Sequence, residues 1–431
     1  MKQYSKQFSL TALSAAILCG LSVSAHAAEA DEEAVLEEVV VSASRLKGTA
    51  TAVLEERKQQ AFVADIMGAE QISRSGDSDA AAALRRVTGL TLVDGKFIYV
   101  RGLGERYSST QLNNSAVPSP DPTRSVLPLD LFPSGIIESL SVQKSYSPSM
   151  PASFGGGNVD IRLKSIPDQF VFDVTGQLGY NTNNFDDGLE YSGGSDDWYG
   201  VDDGTREIPR PILDVYQSGQ SLDDLTPEQS RALALSLNRE YDPKSAKVDP
   251  NTKFTATLGN SFESDKWRYG FLSSLSYDNK HVVADEYQGQ GFLIGENSTT
   301  MIRGYDQVLS TEHTVKTSGM VTVGVEYDKA HKIDYTALIL RDTEDKISDR
   351  LGIDQNNNTS DNKRVRSYDV RYEERELIVN QLKGMHTFDW LNYAGFDWKY
   401  SIGRSNRYAP GNMETRFIVT DANEDGFYDT V

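Results

Sequence analysis

Phe170-Val171-Phe172-Asp173-Val174-Thr175-Gly176-Gln177-Leu178-Gly179-Tyr180 decides the reading of this chain. Phe170, Phe172, Val174, Gly176, Leu178 and Tyr180 fall on one face of an extended backbone. Asp173, Thr175 and Gln177 fall on the other. Strict alternation over this length predicts a strand with one apolar and one polar face. The pattern recurs in pairs downstream. Phe254 to Phe262 and Trp267 to Tyr277 flank the short polar turn Glu263–Lys266. Val315 to Tyr327 and Ile333 to Ile339 flank Asp328–His331, and Ile378 to Phe388 and Asn392 to Ile402 flank Asp389–Leu391.

Between these hairpins lie long polar segments, 181–250, 279–313 and 342–374, with a further one at 404–431. Short turns therefore fall on one side of the sheet and long loops on the other. A soluble sandwich explains alternation but not this asymmetry. A transmembrane β-barrel explains both. Aromatic residues also stand near strand ends, among them Phe170, Tyr180, Trp267, Tyr277, Trp398 and Tyr400, as interfacial girdles require. Seven strands are countable. An open sheet leaves unpaired backbone groups in lipid, so the expectation is that these 431 residues are not the whole functional protein.

The N-terminus reads as an export signal. Lys2 and Lys6 precede an apolar run, Leu10 to Val23, too short for a stable span, and Ala25-His26-Ala27 offers a cleavage site. The single cysteine, Cys19, lies inside this segment, which leaves no disulfide framework downstream. Removing residues 1–27 takes away Lys2 and Lys6 and no acid, moving the net charge from −20 to −22. So acidic a chain repels phosphate backbones, and nucleic acid is excluded as a partner.

Residues 28–61 read as an acidic, flexible linker interrupted by Glu37-Glu38-Val39-Val40-Val41-Ser42-Ala43. Three consecutive valines favour an extended backbone. Two readings stand: a strand of the next domain, or a strand left free for a partner's sheet edge. Residues 62–165 read as a compact α/β domain. Asp77 and Ser78 are placed to cap a helix running through Val87, with Gly89 as its stop. Asp94-Gly95 predicts a tight hairpin between Leu90–Val93 and Lys96–Val100. Val159, Ile161 and Leu163 alternate with Asp160, Arg162 and Lys164, a half-buried strand, while Pro118–Pro133 is a stiff irregular connection.

Phe97-Ile98-Tyr99-Val100-Arg101-Gly102 and Ser153-Phe154-Gly155-Gly156-Gly157-Asn158-Val159-Asp160-Ile161 resemble the plug of TonB-dependent outer-membrane receptors. Glu38 to Ala43 resembles that family's TonB box, and it precedes the plug as the family requires. The resemblance covers essentially the whole chain. It implies an α/β plug inside a 22-stranded antiparallel transmembrane barrel, of which the leading strands are here. It also implies TonB-dependent uptake: the energised inner-membrane complex pulls on residues 37–43 and the plug rearranges to pass a small molecule or metal chelate. A ferric siderophore is the leading substrate class, with oligosaccharide or cobalamin-like ligands behind. Family plugs often carry arginines that pair with barrel glutamates. Arg101 matches that role, whereas Lys144 stands where a second arginine is common and keeps the charge without the bidentate geometry.

Gly155-Gly156-Gly157 lacks the Lys-Ser/Thr of a phosphate loop, and no nucleophile–base constellation suggests an enzyme. Arg106 and Arg124 are candidates for an anionic ligand or for ordinary ion pairs. The loop 181–212 carries Asp186, Asp187, Glu190, Asp196, Asp197, Asp202, Asp203 and Glu207 with interleaved Phe185, Tyr191, Trp198 and Tyr199. Set against Arg206 and Arg210, it reads as solvated surface or as a cation-tolerant or sugar-stacking one. Asp421, Asn423, Asp425, Phe427 and Asp429 with Gly426 follow the first nine positions of a calcium loop, against the plainer reading of an acidic external loop. No other cofactor is expected. The rival to uptake is a non-transporting adhesive barrel, stiffened by calcium.

Overall fold

The computed structural model describes residues 48–60, 64–122, 124, 126–147, 150, 154–185, 187–237, 243–294, 299–354, 363–422 and 428–430. All of them belong to one unit, Arg45–Val431. Helix α1 (Ala50–Gln59) comes first, with Thr49 as its cap accepting from Ala52 N at 3.3 Å. It stands in the segment read as flexible linker. α1 carries no apolar stripe to announce it. Arg57, donating to Ile66 O at 2.7 Å, and the Glu56–Arg162 ion pair tie it down through tertiary contacts.

Next come β1 (Ala64–Gly68), α2 (Ala69–Ser75), α3 (Ala80–Leu84), and the hairpin β2 (Leu90–Val93) with β3 (Phe97–Val100). Asp94 and Gly95 have φ of 54° and 68°, and Lys96 N donates to Val93 O at 3.1 Å, the tight turn the sequence predicts. The cap of α3 is Asp79, accepting from Ala82 N at 2.8 Å, rather than Asp77 or Ser78. Asp77 instead pairs with Arg86 at 2.9 Å. β4 (Ser108–Leu112), β5 (Ser115–Ala116), β6 (Ile137–Gln143) and β7 (Gly157–Leu163) complete a five-stranded sheet in the order β1-β6-β7-β4-β5. Only its β4–β7 pair is parallel. β7 is buried on both faces: Asp160 is as covered as Val159, because Asn114 N and Arg162 bind its carboxylate.

The remaining strands form one antiparallel wall. β8 (Val171–Gly179) leads through a long loop, in which β9 (Gly188–Glu190) and β10 (Lys244–Ala246) pair, to β11 (Asn251–Ser264). β12 (Trp267–Ile294), β13 (Thr299–Tyr327), β14 (His331–Asp354), β15 (Lys363–Phe388), β16 (Ala394–Tyr408), β17 (Met413–Ala422) and β18 (Tyr428–Thr430) follow. The order runs β18-β17-β15-β14-β13-β12-β11-β8, with β16 also on β15. All seven expected strands occur, but β12 to β15 run on for 28, 29, 24 and 26 residues. A membrane crossing takes about 9–11 residues. Most of 279–313 and 342–374, read as loops, is therefore strand, as is much of 404–431. Backbone pairing needs no apolar face, so the ladder continues where the alternation that reveals a strand stops.

β16 and β17 are in effect one strand. β15 pairs with β16 from Phe388↔Ala394 to Glu374↔Tyr408, then with β17 from Val370↔Met413 to Lys363↔Thr420. Residues 409–412 thus lie opposite 371–373, a bulge of one residue. Pro410 has no N–H to give the ladder, Gly411 turns at φ 59°, and Asn412 Oδ1 accepts from Tyr372 N at 2.8 Å in place of the missing carbonyl.

Alternation divides the wall into two faces. Leu272, Met320, Leu338, Leu340, Leu377 and Val379 point inward and join the core of the N-terminal domain, which includes Leu129, Phe132 and Ile136. Phe172, Val174, Leu178, Phe254, Trp267, Tyr269, Ile333, Phe396, Tyr400 and Ile402 point outward and are exposed. The outward set is an apolar band edged with aromatic rings.

Candidate functional site

The inner face meets the N-terminal domain through a compact charge network. Asp130 sits in a turn, Leu129–Leu131, within the proline-rich connection, its flanking leucines anchored in the core. Its carboxylate receives Arg375 Nη2 at 3.1 Å. Arg375 also donates to Asp342, and Lys316 donates to the Asp130 carbonyl at 2.9 Å while lying 3.5 Å from its carboxylate and 3.7 Å from that of Asp342. Two cations thus face two carboxylates in a buried setting. Burial alone would raise the Asp130 carboxyl; the nearby charges of Lys316, Arg375 and Lys96 override it and hold the group below its ordinary value.

Lys96, next to the Asp94-Gly95 turn, pairs with Glu344 at 2.6 Å. Gln381 bridges the Asn113 side chain at 2.8 Å and the Leu112 carbonyl at 3.0 Å, and Ser405 donates to Ser119 O at 2.9 Å. Beside the network runs a polar cleft of about 870 Å³ between the domain and the wall, bordered by Asp79, Lys96, Asp130, Thr255, Asp278 and Glu312.

Residues 56–159 match the family model described as TonB-dependent Receptor Plug Domain. This chain carries a TonB-dependent receptor plug. Behind the plug, the antiparallel wall resembles the strands of such receptors' barrels. Among solved structures, the siderophore receptor PirA from Pseudomonas aeruginosa aligns at 11% identity and TM-score 0.29, over 86% of this chain and 51% of that one. PirA from Acinetobacter baumannii aligns at 10% and 0.29, over 86% and 60%. BauA, the ferric preacinetobactin receptor from Acinetobacter baumannii, aligns at 10% and 0.37, over 84% and 51%. The chain thus spans about half the length of PirA from Pseudomonas aeruginosa and of BauA. A search of curated protein sequences returns no match.

The seat of the plug differs from expectation. Arg101 Nη1 donates to the Lys144 carbonyl at 3.4 Å, and Lys144 Nζ binds Asp65 at 2.6 Å and the Thr88 carbonyl. Neither reaches a barrel acid among the described residues. Arg101 follows β3 and Lys144 follows β6, two strand ends that meet, so both cations hold the plug to itself. Asp130, Lys96, Lys316, Asp342, Glu344 and Arg375 hold it to the wall instead. An acid between two leucines in a proline-rich segment was the one available sign. Nothing in the run Arg371 to Arg375 told which of its charges faces inward.

Arg124 lies over the Phe97 ring at 4.3 Å and 3.4 Å from Asp94, an internal pairing at the hairpin tip. Arg106 is exposed in the turn Glu105–Tyr107. The structure does not join these two into one anion pocket. Glu37 to Ala43 lie outside the described residues. So do Asn423, Asp425 and Phe427, while Asp421 and Asp429 belong to β17 and β18, antiparallel strands rather than the helices that flank an EF-hand loop.

A second buried arginine stands in the loop whose sequence reads as solvated surface. Arg206, in the loop between β8 and β11, is 1% exposed. It binds Asp197 through Nη1 at 2.8 Å and Nη2 at 2.6 Å, Asp345 at 2.9 Å and Asp202 at 3.3 Å, and donates through Nε to Tyr191 Oη at 2.7 Å. Its guanidinium also covers the Tyr372 ring at 4.2 Å. Burial works against that charge, and the carboxylates of Asp197 and Asp345 more than offset it. Two of the acids read as solvated loop are therefore spent on one cation.

Proposed function

We propose that the chain belongs to an outer-membrane receptor for TonB-dependent active uptake of a scarce solute, the plug being the gate. The observation that supports this most is the character of the seat. It is built from balanced ion pairs beside a polar cleft rather than from an apolar interface alone. A buried ion pair is costly to break by deleting one partner, yet it gains little over the same charges fully hydrated. A plug held this way stays shut while dry and lets go when displacement admits water along the cleft. A purely adhesive barrel has no use for such a seat. The substrate class we favour is a ferric siderophore, on the family resemblance, with oligosaccharide or cobalamin-like ligands behind it.

The coupling strand in this reading is Glu37 to Ala43, held by TonB through strand addition. Val40→Pro in the complete receptor removes a backbone donor from that strand and leaves the plug untouched. Energised uptake is expected to fall to background with ligand binding unchanged. Uptake equal to wild type would remove residues 37–43 from the mechanism.

A further inference from the structure

The described part of the loop between residues 184 and 206 does not roof the lumen; it lies on the outside of the barrel wall. Strand alternation decides this. On β14, Asp342 and Glu344 meet the plug, so Thr343 and Asp345 between and beyond them point the other way. The loop binds that outward set: Thr343 donates to Gly200 O at 2.7 Å, and Arg206 pairs with Asp345. Leu189 N donates to Thr311 Oγ1 at 2.7 Å, and Asn184 accepts from Val283 N at 3.1 Å. On β12 the inward side is fixed independently by Leu272 in the plug core, two-residue steps from Ser274 and Ser276.

The lower margin of the loop abuts the apolar band. Along β12 the outward residues Trp267, Tyr269, Phe271 and Leu275 end at Tyr277, after which Asn279 and His281 follow. The Tyr277 hydroxyl donates to the Trp198 carbonyl at 2.6 Å. Trp198 itself is 64% exposed, its ring edge-on to Tyr199 at 4.8 Å. A tryptophan left exposed beside the last aromatic ring of a lipid-facing band occupies the place where indoles are enriched in membrane proteins. Two of the carboxylates nearby are neutralised by an ion pair, and a third, the exposed Asp203, is held in place by backbone amides. Asp197 and Asp202 are bound to Arg206, and Asp203 accepts from Ser195 N and Thr205 N.

We propose that residues 188–206 form a collar on the outer wall and that Trp198 enters the headgroup–acyl boundary of the outer leaflet. The partner is the lipid surface; the collar takes no part in receiving the solute. This inference rests on the outer-membrane reading above, and the test separates the two. The complete receptor carries no cysteine past Cys19 among residues 1–431, so nitroxide labels go on W198C, on L258C in the band and on S218C in the exposed end of α4 (Arg210–Ser218). Each is reconstituted in phosphatidylcholine vesicles, and collision with oxygen is compared with collision with a water-soluble nickel chelate. The W198C label is expected to show an oxygen-to-nickel ratio several-fold above that at S218C and approaching that at L258C. A ratio equal to S218C, with L258C in lipid, overturns the collar. A watery L258C overturns the barrel reading itself. Should W198C fail to insert, every other tryptophan of the complete receptor, Trp267, Trp390 and Trp398 included, is replaced by Phe and brominated phosphatidylcholine is used to quench the remaining indole. Unquenched emission then counts against the collar in the same way.

Discussion

Two arginines mark opposite faces of one strand pair. Arg375 lies on the inner side of β14–β15, between Asp130 of the plug and Asp342 of the wall. Arg206 reaches the outer side of the same pair, where Asp345 and Tyr372 receive it. Both are buried, and both join separate elements to the barrel. The inner network shares its two carboxylates between two cations and borders a polar cleft. The outer one gathers three carboxylates and a tyrosine hydroxyl about a single guanidinium beside an aromatic face. The first is the construction that the proposed gate requires. The second is that of a part that must stay.

Replacing each arginine separates these roles. Arg206→Met leaves Asp197, Asp202 and Asp345 without their cation, and breaking a buried pair costs about 3–5 kcal/mol. The loop is expected to come away from the wall: limited proteolysis between residues 181 and 250 should accelerate by about a hundredfold or more, with energised uptake preserved. Loss of uptake together with loop release would mean that the outer face, too, belongs to the gate.

Arg375→Met should have a smaller effect on stability and a larger one on permeability. Lys316 remains 3.5 Å from Asp130 and 3.7 Å from Asp342, so part of the compensation survives. The expected readout is a leak of bulky antibiotics through the unenergised receptor. In a double-mutant cycle with Asp130→Asn, a coupling of about 0.5–3 kcal/mol is expected. Strict additivity would separate the two residues.

Acid should loosen the same contact. Because the Asp130 carboxyl is held below its ordinary value in the folded protein, its contribution is present above about pH 4 and is lost as pH falls through the folded value. With Arg375→Met that depression shrinks, so leak on acidification should begin at a higher pH than in wild type. Identical acid onsets in the two proteins would show that another group governs the seat. Smallest of all, Lys96→Ala removes a half-exposed pair with Glu344 and should cost no more than about 1 kcal/mol. A leak as large as that of Arg375→Met would move the centre of the lock to the hairpin tip.

The alternation at Phe170–Tyr180 and its successors fixed strand identity, strand direction and which side chains face outward, because a pleated backbone reverses its face at every residue. The Asp94-Gly95 turn was legible for a similarly local reason: two positive φ values in succession admit few residue pairs. Charge, order and the plug motifs carried the family. These are properties of neighbouring residues and need no partner to be true.

Contacts across the fold were another matter. Lys96 and Glu344 lie 248 positions apart, and Asp130 and Arg375 lie 245 apart. A single sequence carries no mark of which distant charges will meet, so Arg101 and Lys144 looked as apt for the lock as the residues that form it. The strand extensions at 279–294 and 342–354 were invisible because hydrogen-bonded ladders constrain the backbone and leave side chains free. Above all, an acidic loop reads alike wherever it folds. Only the wall's two faces, one filled by the plug and the other open, decided that this loop would close around Arg206 on the outside.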